Sequence, residues 1–223
     1  NFCIVGEPTN PNKLGEMIKI GRRGSLSAVL EIFGTQGHVA YPLLSNNPIN
    51  ALIAICKKLK SVKLDNGNKN FQPSNLEFTS INVKNTAHNV IPSRVVTQFN
   101  IRYNTAYTSA SLKKKINKII KNICYKNKCK FKINYEANGD AFLTKPEKTI
   151  YMAKKIIKDI TKINTKFSTT GGTSDARFIK KISPCLEFGL VNKSMHKVDE
   201  YVPISDLRKL TKIYHKILIE YFK

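Results

Sequence analysis

The feature that most constrains the fold is the order in which two hydrophobic periodicities follow one another in the middle of the chain. From Leu26 to Ile32 apolar residues alternate with polar or small ones, which predicts a half-buried strand. Pro48 opens a stretch with helical spacing, and strands are predicted over residues 76–83 and 95–102. A second helical stretch and a closing strand follow. The order β-α-β-β-α-β is typical of a ferredoxin-like sandwich, an antiparallel sheet with two helices on one face.

The segments that flank this sandwich have the character of one α/β body. The chain starts with the apolar stretch Phe2–Val5, which is typical of a buried strand, and an amphipathic helix is predicted near residues 147–163. We therefore expect residues 1–22 and 139–223 to form an α/β domain, interrupted by an inserted domain at residues 23–138.

A last helix is predicted near the end of this sequence. Ser205 is its expected N-cap, because a serine side chain can accept a hydrogen bond from the first helical turn. Its apolar residues recur at helical spacing and are expected to face inward: Leu207, Leu210, Ile213, Tyr214, Ile217 and Leu218.

Composition narrows the class of protein. The 223 residues are 41% hydrophobic, enough for a sizeable core, and no apolar run approaches the roughly 18 to 20 residues of a membrane span. The formal net charge of +23 comes from Lys far more than from Arg, so we expect no nucleic-acid partner, and the lack of a long apolar run predicts no membrane association. Five cysteines without a CxxC pair favour a reducing, cytoplasmic location.

Two residues far apart in the sequence are candidate metal ligands. Glu7 follows the first predicted strand, at the kind of sheet edge where ligands collect, and His196 lies in the loop before the last helix. Taken alone, each is better explained as a solvated loop residue.

His38 is a candidate hydrogen-bond donor to a developing oxyanion, because Gly37 lets the backbone approach closely. A histidine satisfied by backbone groups in a turn is an equal alternative. The Gly-rich stretch Ser168–Asp175 has backbone N–H groups that could bind an anion, yet it lacks the lysine and spacing of a P-loop. Among the scarce arginines, Arg22 and Arg102 are candidate carboxylate partners.

Six motifs in order along the chain resemble those of the M20 group of di-zinc aminoacylases and carboxypeptidases, and within it the enzymes that remove a succinyl group from diaminopimelate. They are Gly6–Thr9, Gly21–Ser25, Gly37–Pro42, Asn89–Pro92, Thr170–Asp175 and Met195–Lys197. The resemblance implies a catalytic α/β domain interrupted by a ferredoxin-like dimerisation or lid domain, and a homodimer formed through that lid.

The same resemblance implies the site. Glu7 and His196 each correspond to a ligand of one of two Zn²⁺ ions per subunit, with Co²⁺ or Mn²⁺ as substitutes. His38 corresponds to the lid histidine that stabilises the oxyanion in the partner's active site. The residues that correspond to contacts with a carboxylate-rich substrate are Arg22, Ser25, Tyr41, Asn89, Arg102, Gly172, Thr173 and Asn192.

The resemblance also implies hydrolysis of N-succinyl-LL-2,6-diaminopimelate to succinate and LL-2,6-diaminopimelate. The sequence contains no HxD motif and no Glu-Glu pair, so the family's first histidine ligand, its bridging aspartate, its glutamate base and a further glutamate ligand are missing. We therefore expect an N-terminally truncated α/β catalytic domain that is inactive alone.

Three alternatives remain at this stage. A related M20 deacylase could act on N-acetyl-ornithine, a basic module without catalytic activity could bind RNA, and the reading frame could be a decayed one.

Overall fold

A computed structural model describes all 223 residues, and they divide into two compact units. One unit comprises Asn1–Arg23 and Phe142–Lys223, and the other comprises Gly24–Ala141. The boundaries expected after residues 22 and 138 differ from these by one and three residues. The catalytic and lid roles assigned to the two domains stay predictions.

Twelve strands and five α-helices follow one another along the chain. The strands are β1 (Cys3–Val5), β2 (Met17–Lys19), β3 (Gly21–Arg22), β4 (Gly24–Phe33), β5 (Gly37–His38), β6 (Asn75–Asn82), β7 (Val90–Ile91), β8 (Arg94–Tyr103), β9 (Lys130–Ala137), β10 (Phe142–Leu143), β11 (Lys166–Ser168) and β12 (Cys185–Glu187). The helices are α1 (Pro48–Ser61), α2 (Ser109–Lys126), α3 (Lys148–Thr161), α4 (Ala176–Ile179) and α5 (Ile204–Tyr221).

The unit Gly24–Ala141 is the ferredoxin-like sandwich that the sequence predicts. Its antiparallel sheet has the order β6-β8-β4-β9, so the first strand of the motif, β4, lies in the interior between the third and the fourth. Asn47 caps α1 by accepting a hydrogen bond from the N–H of Ile49, and Thr108 and Ser111 form a reciprocal capping box on α2.

The core of the sandwich lies between the sheet and its two helices. Leu26, Leu30 and Ile32 on β4 are fully buried, as their alternation predicts. They share one hydrophobic cluster with Ile55 of α1 and Ile120 of α2. The apolar faces of both helices therefore account for the buried face of the strand.

The other unit is built on a mixed sheet with the order β1-β12-β2-β11. β1 and β12 run parallel, whereas β12 and β2 are antiparallel. Helices α3 and α5 pack against each other, and Ile157 and Ile213 share a core cluster with Ile18 and Leu186 of the sheet. No helix in either unit is both long and apolar enough to cross a membrane.

Three expectations about the last helix are wrong. Pro203 is the N-cap residue, and Ser205 lies inside the first turn. The proline holds the extended backbone that precedes the helix, and no side chain caps the first turn. Leu207 and Leu218 are exposed, because the buried side of α5 is confined to the narrower row that contains Leu210, Ile213 and Ile217.

We predict that Ile120→Ala lowers the free energy of unfolding by about 2–5 kcal/mol, because it leaves a cavity where a fully buried side chain packs. Ile53 on α1 is exposed, and Ile53→Ala should change that free energy by less than about 0.5 kcal/mol. Urea unfolding followed by circular dichroism measures both. Equal effects of the two substitutions would contradict the assigned core.

Candidate active site

A pocket of about 340 Å³ lies in the first unit, at the edge where the segments after β1 and β12 emerge. Because β1 and β12 are parallel, these segments leave the sheet on the same side. They continue side by side: Asn10 and Val191 form a parallel bridge, and the N–H of Asn192 donates to the carbonyl of Asn10 at 2.9 Å. This pairing brings residues more than 180 positions apart to one wall.

Asn10 holds this wall together. It is fully buried, and its Nδ2 donates to the carbonyl of Gly189 at 2.6 Å. Its Oδ1 accepts from the N–H groups of Gly15 and Met17, at 3.1 and 2.9 Å. One side chain thus ties the loop after β1 to β2 and to the segment after β12.

Glu7 lines the pocket with a carboxylate that has no hydrogen-bond or ion-pair partner in the chain. A Cβ at Gly189 would overlap the backbone carbonyls of Gly6 and Glu7, so only glycine permits this close approach. Glu7 is half-buried, and its position follows from the pairing of β1 with β12.

His196 lines the same pocket in a strained turn. Its φ of 62° lies in the left-handed region, and its N–H donates to Oε2 of Glu200 at 3.2 Å. Ser194 closes the turn by donating to the carbonyl of Tyr201 at 2.7 Å. The imidazole itself makes no hydrogen bond within the chain and is exposed, which leaves both ring nitrogens available.

Lys19 is a pocket residue that the sequence analysis missed. It is 6% exposed, and its Nζ donates to Thr170 Oγ1 at 2.7 Å and to Ser168 Oγ at 3.2 Å. Its pKa is lowered to about 8, chiefly by burial and also by the nearby Arg22, while Glu187 opposes this shift. Nothing in the sequence separates this lysine from the others, because the signal is its burial.

Glu187, which is 1% exposed, is the second residue that the sequence analysis missed. It accepts from Arg22 Nε at 2.9 and 3.1 Å and also pairs with Nη2 of that side chain. The hydroxyl of Ser174 donates to it as well. The sequence signal for Glu187 is an acid at the end of an otherwise apolar, buried strand, and in the sheet it lies opposite Lys19.

The Gly-rich loop, residues 170–174, forms another wall of the pocket. Gly171, Gly172 and Thr173 line it and are exposed, and their N–H groups donate to no other group of the chain. Gly171 has a φ of 106°, and a Cβ there would overlap Nη1 of Arg22. Free N–H groups beside a buried cation suit an anionic ligand.

The structure brings six predicted site residues together around this pocket: Glu7, Arg22, Gly172, Thr173, Asn192 and His196. Arg22 is not a free cation there, since its guanidinium is paired with Glu187 and donates through Nη1 to the carbonyl of Thr170 at 3.0 Å. Asn192 Nδ2 donates to the carbonyl of Pro8 at 3.4 Å. Their contacts with substrate stay predictions.

The remaining predicted site residues belong to the second unit. The ring centroids of His38 and Tyr41 are 5.8 Å apart. The backbone carbonyl of Asn89 accepts a hydrogen bond from the N–H of Val39 at 3.1 Å. Ser25 and Arg102 are opposite each other on β4 and β8. Ser25 is buried and accepts from Asn100 Nδ2 at 3.1 Å.

The geometry of His38 selects one tautomer. Nδ1 accepts a hydrogen bond from the N–H of Ala40 at 3.1 Å, so a neutral imidazole carries its proton on Nε2. His38 is exposed, and Nε2 has no partner in the chain. The ring is therefore a donor at its outer nitrogen.

The donor types at the pocket suit a first-row divalent metal ion, but the set is incomplete. A carboxylate and an imidazole without partners line it, and both are ligands for Zn²⁺, Co²⁺ or Mn²⁺. No group of three or more His, Cys, Asp or Glu side chains in the chain could hold a metal ion. Further ligands would have to come from outside these 223 residues.

Comparison with known proteins identifies relatives along the whole chain. Residues 20–128 match the peptidase dimerisation domain of the M20 family. The chain is 64% identical over 222 residues to succinyl-diaminopimelate desuccinylase from Pelagibacter ubique, and 46% identical over 222 residues to the enzyme of that name from Ehrlichia canis. These alignments cover 100% of this chain and 58% and 57% of the relatives, so it spans little more than half their length.

Solved structures share the fold. Aminopeptidase PepT from Bacillus cereus has a TM-score of 0.84 at 16% identity, over 99% of this chain and 57% of that one. A tripeptidase from Staphylococcus aureus has a TM-score of 0.78 at 16% identity, over 93% of this chain and 54% of that one. The homologues are thus M20 peptidases and amidohydrolases, and the expected α/β fold with its dimerisation domain is confirmed.

We predict that one lysine side chain, Lys19, titrates near pH 8, because burial disfavours its charged form. The unfolded chain holds this proton up to its ordinary pKa of 10.5, so Lys19 makes folding more favourable as pH rises from about 8 to 10.5. NMR of ¹⁵N-labelled lysine side chains measures the titration. The signal should be absent in Lys19→Met and present in Lys57→Met, and its persistence in Lys19→Met would contradict the assignment.

Proposed function

We propose that the protein containing this chain, whose homologues are M20 amidohydrolases, hydrolyses N-succinyl-LL-2,6-diaminopimelate to succinate and LL-2,6-diaminopimelate. The observation that carries this proposal is the pocket of the first unit. A carboxylate and an imidazole without partners share it with a buried lysine and free backbone N–H groups. Metal-ligand types on one wall and an anion-binding wall beside them suit a substrate with an amide and several carboxylates.

Two divalent metal ions, zinc or in its place cobalt or manganese, are part of the proposal. Glu7 would bind one ion and His196 the other, with the remaining ligands supplied from outside these residues. When bound, the ions would polarise the amide carbonyl and acidify a water molecule. The chain's own contribution is to hold the two ligands without competing partners. Glu7 is held by the pairing of β1 with β12, and His196 by the turn that Glu200 and Ser194 close.

His38 would donate a hydrogen bond from Nε2 to the oxyanion that develops on the amide carbonyl. The hydrogen bond from Ala40 to Nδ1 supports this role, because it leaves the proton on the outer nitrogen. We propose that His38 acts in the active site of a second subunit, with Tyr41 and Asn89 beside it. The match of residues 20–128 to a dimerisation domain supports a homodimer formed through this unit.

The substrate carboxylates would meet the cationic side of the pocket. Lys19 is charged below pH 8 and lies beside the free N–H groups of Gly172 and Thr173. Asn192 is a further substrate contact of this pocket in the proposal, whereas Arg22, whose charge is paired with Glu187, would act through the loop that it supports. Ser25 and Arg102, which belong to the other unit, stay predicted contacts. A succinyl group ends in a carboxylate that an acetyl group lacks, so this wall favours the succinylated substrate over N-acetyl-ornithine. We place the protein in the cytoplasm, where its five free cysteines remain reduced.

The proposed reaction is tested with the full-length protein. We expect zinc-dependent release of succinate from N-succinyl-LL-2,6-diaminopimelate, with a kcat/KM at least tenfold above that for N-acetyl-ornithine. A chelator should abolish turnover, and residues 1–223 alone with added zinc should show none, because a single ligand for each ion does not hold a catalytic metal. A preference for the acetyl substrate would contradict the proposal.

Metal content distinguishes the ligands from other residues of the pocket. Glu7→Gln and His196→Asn should each lower the zinc bound per subunit, measured by atomic emission. Asp206→Asn serves as a control, because this carboxylate lies on α5 outside the pocket. Full zinc content in both Glu7→Gln and His196→Asn would rule out their assignment.

We predict that His38→Gln lowers kcat about 10²–10³-fold with a smaller change in KM, because the lost donor acts on the charge that forms in the transition state. His215→Gln, on the exposed side of α5, should leave kcat unchanged. Steady-state kinetics of the full-length protein measures both variants. Unchanged kcat in His38→Gln would exclude this histidine from the reaction.

A further inference from the structure

The buried acid Glu187 has no place in the function proposed above, since it lines no part of the pocket. It is 1% exposed, and its partners are the guanidinium of Arg22 and the hydroxyl of Ser174. A buried carboxylate is tolerated only when its charge is paired and hydrogen-bonded. The three side chains therefore form one hydrogen-bonded network, and the position of each depends on its contacts with the other two.

Both partners of Glu187 belong to or contact the Gly-rich loop. Ser174 lies at one end of it, and Arg22 donates through Nη1 to the carbonyl of Thr170 at the other end. The stretch between these two anchors consists of Gly171, Gly172 and Thr173, which line the pocket. The loop is thus tied at both ends to one carboxylate, directly at Ser174 and through Arg22 at Thr170.

The path of the loop also depends on where the guanidinium lies. Gly171 adopts a φ of 106° and passes so close to Nη1 of Arg22 that a Cβ would overlap this atom. Lys19 anchors the same segment by donating to Thr170 Oγ1 at 2.7 Å. A guanidinium released from Glu187 would no longer define this path.

We propose that Glu187 is a positioning residue, whose ion pair with Arg22 and hydrogen bond from Ser174 hold Gly171–Thr173 in the conformation that receives a substrate carboxylate. The inference rests on the proposed function and deepens it. It assigns Arg22 a role that acts through the loop, because its charge is already neutralised by Glu187. Substrate affinity therefore depends on an acid that does not touch the substrate.

A second consequence concerns the charge of Lys19. Glu187 favours the protonated amine and Arg22 disfavours it, so removal of the acid alone leaves Lys19 beside an uncompensated guanidinium. The charged and titratable groups known to act on Lys19 are these two, and its remaining contacts are Met17, Ser168 and Thr170. Lys19 should therefore lose its charge at a lower pH in Glu187→Gln, and the decrease in succinate affinity with rising pH should begin at a lower pH than in the wild type.

Binding of succinate to the full-length protein, measured by isothermal titration calorimetry, tests the proposal. Glu187→Gln should raise the Kd for succinate at least tenfold at pH 7 and shift its pH dependence downward. Arg22→Met/Glu187→Leu removes both charges and so avoids an unpaired buried ion, which should keep the protein folded. This double variant should also bind succinate at least tenfold more weakly, whereas the surface substitution Glu77→Gln should change the Kd by less than twofold.

The outcomes separate this inference from the function on which it rests. A folded double variant, verified by its unfolding transition, that binds succinate within twofold of the wild type would overturn the positioning role and leave the proposed function intact. Wild-type protein that neither binds succinate nor releases it from the succinylated substrate would overturn both. Weaker binding in both variants, with the KM raised more than kcat is lowered, would support the positioning role.

Discussion

The ion pair between Glu187 and Arg22 is the interaction on which the pocket depends. Both side chains are buried, at 1% and 7% exposure, so neither charge can be left without the other at a cost below several kcal/mol. The pair joins the last residue of β12 to β3 and, through Thr170 and Ser174, to the Gly-rich loop. The ion pair thus holds together three segments that are distant in sequence.

Other polar side chains at the pocket have no partner within the chain and are available to a ligand. Glu7 and His196 have no partner for their side chains, although the backbone around each is held by several hydrogen bonds. His196 occupies a left-handed conformation, which the surrounding turn must stabilise because the isolated residue disfavours it. Rigid backbone with unengaged side chains is the arrangement that a binding site requires.

The fold was largely predictable because it rests on local periodicity. Alternation in β4 and helical spacing in α1 and α2 reflect the one face that each element buries, and that face can be identified from residues that are close together in the sequence. The last helix shows the limit of this reasoning. Leu207 and Leu218 have the right spacing yet are exposed, because burial depends on which side of α5 packs against α3 and the core, and spacing alone does not specify how wide that side is.

For the site, the motifs, the expected chemistry and six residues that line one pocket could be predicted from the amino-acid sequence. The folded chain was needed to show which of the many lysines is buried with a lowered pKa, and that Arg22 pairs with an acid. Burial and pairing arise from contacts between segments more than a hundred residues apart, which no local pattern records. The proton position on His38 likewise follows from a backbone N–H that only the folded turn brings within reach of Nδ1.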